Sequence, residues 1–504
     1  MKLLFCLLSV SLFNIFGRPV DHNPQYKPPH LYVSQFENVL GTSLELKISA
    51  LSETDATTAE NTVMQEISRM TKILSAYDPN SEFSNWFKTF NQPVHVSKEL
   101  FDVLSLFDQW KQRTSGALDA SAEVVSKLWK QAAKQQRIPT SQELNEAVTE
   151  VKQSHWKLDA IAQTATHLSH SPLVLNSFVK SYIIKEATNA AMKADKLSAI
   201  VVNVGGDIVI SGDINETVSI SDPKADAENE EPLDYVTIGN KAIATSGNYR
   251  RGEMINGHWY SHIVDPRTGL PADNIISATV VASNATDAGA LATAFNVMTP
   301  SESIKLASAV SGAEYLIITK SGERIASTGW SSLETKPAVT KEEKNTGGRK
   351  NDFELIVNFE INLQKAGGPV KRPYIAIWVE DENHSAVRTV SVWHGSNRYI
   401  NELKSWYLKY RGQYTTDNNF STSISSATRS AGKYSVKWDG KDDKGEFVKP
   451  GKYIVKIEVS REHGTYQLMR QEIDWDETPK KIDLAGNVEI ASASLDYRKK
   501  TSDN

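Results

Sequence analysis

Apolar residues recur along the chain with two different periods, and the place where one period stops divides it. Before residue 332 both are present. "LGTSLELKISA" alternates polar and apolar positions like a half-buried strand. "NTVMQEISRMTKILSAY" instead sets Val63, Ile67, Met70, Ile73 and Leu74 at helical spacing behind Asn61 as a cap, and "SKELFDVLSLFDQWKQRTSG" does the same between a Ser97 cap and a Gly116 stop. "AIVVNVGGDIVISG" reads as a β-branched strand, a Gly-Gly turn and a second strand, and "DYVTIGN", "KAIATSG", "ISATVVAS" and "AEYLIITKSGERIAS" read as further strands. Helices and strands mixed without a regular βαβ repeat predict an α+β domain on a largely antiparallel sheet over 35–332. A charged, aperiodic stretch at 333–351 then predicts a linker. Beyond it the helical period is gone. "DFELIVNFEINL", "PYIAIWVEDEN", "RTVSVWHG", "KYSVKWDG" and "KYIVKIEVSRE" predict a small all-β sandwich domain over 352–490, with 491–504 as a frayed tail.

The N-terminus changes this picture. "MKLLFCLLSVSLFNIFG" is a lysine followed by an apolar run too short to span a bilayer comfortably, which reads as a secretory signal over 1–17, and the Pro-rich 18–34 reads as an extended leader. The single cysteine, Cys6, lies inside the signal, so the mature chain is expected to carry no thiol. That excludes disulfides, cysteine nucleophiles and thiolate metal sites, and it suits the periplasm or cell surface. No transmembrane segment is expected in the mature chain. A length of 504 residues calls for more than one core. The 56 basic and 61 acidic residues leave a net charge of −5, with no cationic surplus for a phosphate backbone, so nucleic acid is not expected as a partner.

Three stretches carry candidate chemistry. In "NVGGDI", Gly205 and Gly206 with Asp207 would let backbone N–H groups approach a ligand closely, or would simply turn a hairpin. In "ATSGNYRR", Thr245, Ser246 and Gly247 suit a phosphate or a hydroxylated ligand, or form a polar turn. "SHIVDPRTGL" is more specific. It crowds His262, Asp265 and Arg267 into one turn fixed by Pro266 and released by Gly269, an arrangement costly to hold unless the groups pair or bind something.

The order of "VLGTSLEL", "YDPNSEFS", "GALDAS", "VVNVGGDIVISG", "AIATSGNYRR", "YSHIVDPRTGLPA" and "ATDAGALATAFNVM" resembles that of the ApbE-type FAD:protein FMN transferases across nearly all of 35–330. The resemblance implies a periplasmic or surface enzyme that binds FAD with Mg²⁺ and moves FMN onto a threonine of an acceptor protein, releasing AMP. It implies His262 as the base, with Arg267 and the backbone of Thr245, Ser246 and Gly247 around the phosphates. Leu40, Tyr77, Ala117, Leu118, Asp119 and Lys180 match nucleotide-contacting positions, as do Gly205, Gly206 and Asp207. The Ser177 carbonyl and Thr293 match metal ligands. Where the family reads A-D-A-L-A-T, however, this chain reads "AGALAT", with Gly289 in place of the aspartate that binds metal. A magnesium site without its carboxylate binds poorly, and Asp287 could replace it only from the turn before the helix. "KSYIIK" likewise puts Ser181 for a family glycine and Lys185 for an aspartate, and Val174 replaces an acidic residue.

In the second domain, "STSISSATRSAG" resembles the Ser-Gly-Ala-Thr motif that accepts FMN, which would make Thr428 an acceptor in cis or between copies, although any Ser/Thr-rich connection reads the same way. The acids of "WDGKDDKGEFVKPGKY" suit calcium or a solvated hairpin turn. Two function classes follow. One is a flavin transferase acting on a protein with a Ser-Gly-Ala-Thr-like motif. The other is a secreted flavin-binding or interaction protein with weakened or lost transfer, or with FAD hydrolysis in its place. The turns retained together favour the first; Gly289 favours the second.

Overall fold

The computed structural model describes residues 28–194, 196–249, 251–335, 352–362, 372–395, 397–417, 421, 424–426, 428–461 and 464–500. The expected signal, most of the leader and nearly all of the expected linker lie outside them.

The first domain is built on one eight-stranded sheet in the order His30–Val39, Thr42–Ala50, Leu197–Val204, Asp207–Gly212, Ala242–Gly247, Ile275–Ala282, Glu314–Thr319, Arg324–Ala326, every neighbouring pair antiparallel. Alternation along Thr42–Ala50 sends Leu44, Leu46 and Ile48 inward, each at most 1% exposed. The helices Glu53–Leu74, Val179–Ala194 and Ala285–Val297 pack with that face into the main core. Ala285–Val297 is the innermost, and Ala288, Gly289, Ala290, Ala292 and Ala294 are small enough to let it lie close to both sheet and neighbouring helix. The opposite face is covered by the hairpin Glu216–Ile220/Asp234–Ile238 and by Trp330.

Ser97 caps Lys98–Arg113 as expected, accepting from the Leu100 N–H at 3.2 Å, and Gly116 ends it at φ +87° with its N–H on the Lys111 carbonyl. Asn61, by contrast, lies inside its helix. The cap is Ser52, which accepts from the Asp55 N–H at 3.1 Å. The first turns bury only Ala56 and Ala59, side chains too small to register in an apolar pattern. The strand His30–Val39 also begins inside the expected leader.

The second domain packs a four-stranded sheet (Gly432–Trp438, Phe353–Ile361, Ile490–Lys499, Lys480–Leu484) on a five-stranded one (Ser425–Ser426, Ala386–Trp393, Pro373–Asp381, Gly451–Arg461, Tyr466–Trp475) around Trp393, Trp438, Trp475 and Tyr497. The expected tail at 491–504 is corrected here: Ile490–Lys499 is an interior strand, paired on both sides, whose Ala493, Leu495 and Tyr497 are buried at period two behind a polar face. One helix, Lys404–Thr416, was not foreseen. It buries Trp406 and Tyr410, and its first amides are capped by Glu458, which accepts from Ser405 N–H at 2.7 Å and Trp406 N–H at 2.8 Å.

The two domains touch along the edge strand Gly432–Trp438 and beside it. Glu228 N–H donates to the Ser435 carbonyl at 2.7 Å, Asn229 bonds the Lys437 backbone in both directions, and Asp226 pairs with Arg498 at 2.7 Å.

Candidate active site

The turns at Leu40–Gly41 and Gly205–Gly206 and the end of strand Ala242–Gly247 all fall at one end of the large sheet. There the last turn of helix Ala285–Val297 arrives as well, where Asn296 Nδ2 donates to the Ser246 carbonyl at 2.7 Å. Asn248, buried, holds the neighbouring segment through the carbonyls of Ala272 (3.1 Å) and Ile275 (2.9 Å). Sequence reasoning missed both asparagines, because nothing local distinguishes them from loop residues. Thr245 is exposed and shares a hydroxyl bond with Thr279 at 2.9 Å.

His262 follows the hairpin Gly252–Ile255/His258–Ser261. Its N–H (3.2 Å) and its Nδ1 (3.0 Å) both approach the Arg251 carbonyl. A carbonyl can only accept, so Nδ1 carries the proton and Nε2 keeps a lone pair facing away. Partial desolvation, joined by the charges of Arg251 and Lys130, holds the imidazole below its ordinary 6.5. The ring is therefore neutral and basic at Nε2 near pH 7.

Arg267 is engaged by carboxylates. Its Nε and Nη2 grip both oxygens of Asp265 at 2.8–3.1 Å, and Nη1 reaches Glu302 at 2.8 Å. Two carboxylates take three of the five guanidinium N–H groups, so in this arrangement the charge is committed to the turn. Its role is to pin the turn. Glu302 comes from the capping box of helix Pro300–Ser308, where the Thr299 N–H lowers its carboxyl further than Arg267 does. The turn closes with Gly269 N–H on the Asp265 carbonyl (2.8 Å) and Trp129 Nε1 on the Gly269 carbonyl (2.8 Å).

At the Gly205–Gly206 end of the sheet, Asp207 is buried and doubly held, by Lys180 Nζ at 3.2 Å and by the Ser181 hydroxyl at 2.5 Å. The glycine N–H groups are already used: Gly205 donates across to the Ser43 carbonyl of strand Thr42–Ala50 at 3.0 Å, and Gly206 to Asn203 Oδ1 at 3.2 Å. They are therefore turn formers, at φ +57° and +94°, and do not act as free ligand donors. Asp119 is likewise engaged locally, accepting from Ser121 N–H and Oγ at 2.8 and 2.7 Å and pairing with Lys111 at 2.6 Å, while Ala117 and Leu118 are core residues. Leu40 is half-buried in a left-handed turn, φ +51°. Tyr77 is the open aromatic. It is 76% exposed, accepts from Asn176 Nδ2 at 2.6 Å, and borders a pocket of about 400 Å³ lined by Phe83, Phe87 and Leu173.

The residues expected to hold magnesium do not fit it. Ser177 and Thr293 meet, but the Thr293 hydroxyl donates to the Ser177 carbonyl at 2.8 Å, and both donors are neutral. Asp287 lies in the first turn of a helix whose cap is Asn284, six residues and about 9 Å of axial rise before Thr293. Its expected rescue of the site fails. Burial raises its carboxyl, partly offset by Arg113 and Lys185. Among the described residues no group of three or more His, Cys, Asp or Glu could hold a metal.

Thr428 is buried, its hydroxyl donating to Gln35 of the first domain and its carbonyl accepting from Arg372 at 2.6 Å. An acceptor must bring its oxygen to the donor's phosphorus, so this position is a domain contact; the acceptor expectation is corrected.

Two family profiles match the chain: the ApbE family over residues 40–317, and "Predicted periplasmic protein (DUF2271)" over 354–492. The chain is similar to the FAD:protein FMN transferases of Haemophilus influenzae (28% identical over 307 residues, 57% of this chain and 86% of that protein) and Escherichia coli (25% over 355 residues, 67% and 97%). Among solved structures it resembles the ApbE protein of Thermotoga maritima, TM-score 0.55 at 26% identity, covering 61% of this chain and all of that one.

Proposed function

The chain belongs to the ApbE family, and we propose that it transfers FMN from FAD to a threonine hydroxyl of an acceptor protein, with AMP as the leaving group. One observation carries the reading: His262 is fixed by the Arg251 carbonyl with Nε2 unprotonated, in a turn whose other charges are already paired. The threonine oxygen attacks the FMN-side phosphorus as its proton passes to Nε2. The bond to the AMP oxygen breaks, and AMP departs with the electron pair. Turn rigidity supplies positioning, and Lys180 is the cation at the phosphate end. No step is routed through a metal.

The reading also puts the protein outside the inner membrane. In support, the profile matching the C-terminal domain describes a periplasmic protein, and among the described residues no helix is long and apolar enough to cross a membrane. The acceptor is a separate protein bearing a Ser-Gly-Ala-Thr-like motif. A second reading, a flavin-binding relative that has given up transfer, is favoured by Gly289 alone. Incubating the protein with FAD and an acceptor domain, and following AMP together with acceptor mass, separates the two. AMP release matched by an FMN mass gain supports transfer, AMP without mass gain means hydrolysis, and FAD bound without AMP establishes the second reading.

A further inference from the structure

We infer that Ser181 and Gly289 are one compensated exchange, in which the serine fills the space a side chain at 289 would need and closes the Ser177–Thr293 corner to any resident divalent cation. The inference rests on the family reading for the expectation of a carboxylate at 289; the rest is geometry. Helices Val179–Ala194 and Ala285–Val297 run side by side in opposite directions, so that Thr293 meets Ser177 and, one turn away, Gly289 meets Ser181. A Cβ built on Gly289 would overlap the Ser181 hydroxyl, come within 3.0 Å of Ser181 Cβ and lie 3.6 Å from the Phe178 backbone. No real Cβ tolerates the first two contacts together.

Nor can Ser181 simply rotate away. It is 1% exposed, and its hydroxyl is tied to Asp207 by a charge-assisted bond of 2.5 Å. The Lys180 ammonium balances the charge of that same carboxylate. What remains is one carbonyl and one hydroxyl, bonded to each other. A small divalent cation demands several oxygens in near-octahedral array, anionic ones above all, and this pair supplies neither the number nor the charge. Seen separately, serine for glycine and glycine for aspartate are two departures from a motif. Packed together, they keep the helix spacing while exchanging a cation site for a closed hydrogen-bonded contact.

The test is Mn²⁺ titration of the full chain, followed by electron paramagnetic resonance, in wild type, Gly289→Asp, Ser181→Gly and the double variant. FAD affinity, followed by flavin fluorescence, is measured on each to report separately on the flavin site. The wild type is expected to show no saturable Mn²⁺ site. Gly289→Asp alone should melt several degrees lower because of the overlap. The double variant should recover that loss and bind Mn²⁺ at least about tenfold more tightly than wild type. A saturable wild-type site abolished by Thr293→Ala, or a Gly289→Asp variant that melts like wild type, would overturn the inference whatever FAD does. A double variant that binds FAD and melts like wild type but gains no Mn²⁺ affinity would overturn it too.

Discussion

The two walls of the proposed flavin site handle charge in opposite ways. On the His262 wall, Arg267 bridges Asp265 and Glu302, a cluster with one negative charge over, and the imidazole Nε2 is left outside it. On the helix wall, the free carboxylate that the family pattern calls for is absent, and the one nearby, Asp207, is held by an ammonium and a hydroxyl. On the proposed reading, one wall keeps its base beside carboxylates held by Arg267; the other gives up an anion and closes over the gap. A motif can thus persist on one side of a site while its counterpart is replaced, provided each replacement satisfies its own packing and charge.

The sharpest way to break this comparison is to remove the base. His262→Ala should lower transfer by about 10²–10⁴-fold, the range of general base catalysis, while FAD affinity changes little; AMP release with acceptor mass checks it. Next in size is Arg267→Met, which strands Asp265 and Glu302. We expect a loss of about 2 kcal/mol in urea unfolding and about tenfold slower transfer as the turn loosens. On the helix wall, Lys180→Met should cost only about 1 kcal/mol, because its ion pair is partly exposed, with FAD binding weakened several-fold in a fluorescence titration. Thr428→Val belongs to neither wall. It should leave FMN transfer unchanged and cost at least about 1 kcal/mol, because Gln35 loses a buried donor, and intact-mass analysis should find no FMN on the chain itself.

Much of this was legible in the sequence where the controlling contacts are local. The "HIVDPRTG" turn announces itself because Asp265 and Arg267 sit two residues apart and pair with each other. The same closeness hides the further bond of Arg267 to Glu302 on another element. The Ser97 cap could be read in advance and the Ser52 cap could not, because apolar spacing overlooks buried alanines. In the second domain, strand Ile490–Lys499 hid behind its polar face, and helix Lys404–Thr416 behind tryptophan and tyrosine, residues that favour strands. Gly289 and Ser181 were each visible as departures, yet their contact exists only once two distant helices are packed together.

The most direct test of the account is the single-turnover rate of FMN transfer as a function of pH, for wild type and His262→Asn. Desolvation and the neighbouring cations favour neutral imidazole, so the active form should appear as pH rises through an ionisation below the ordinary 6.5 and stay constant above it. The asparagine variant should lose both the ionisation and most of the rate. A wild-type rate without that ionisation, an asparagine variant that transfers as well as wild type, or no transfer at any pH would contradict it.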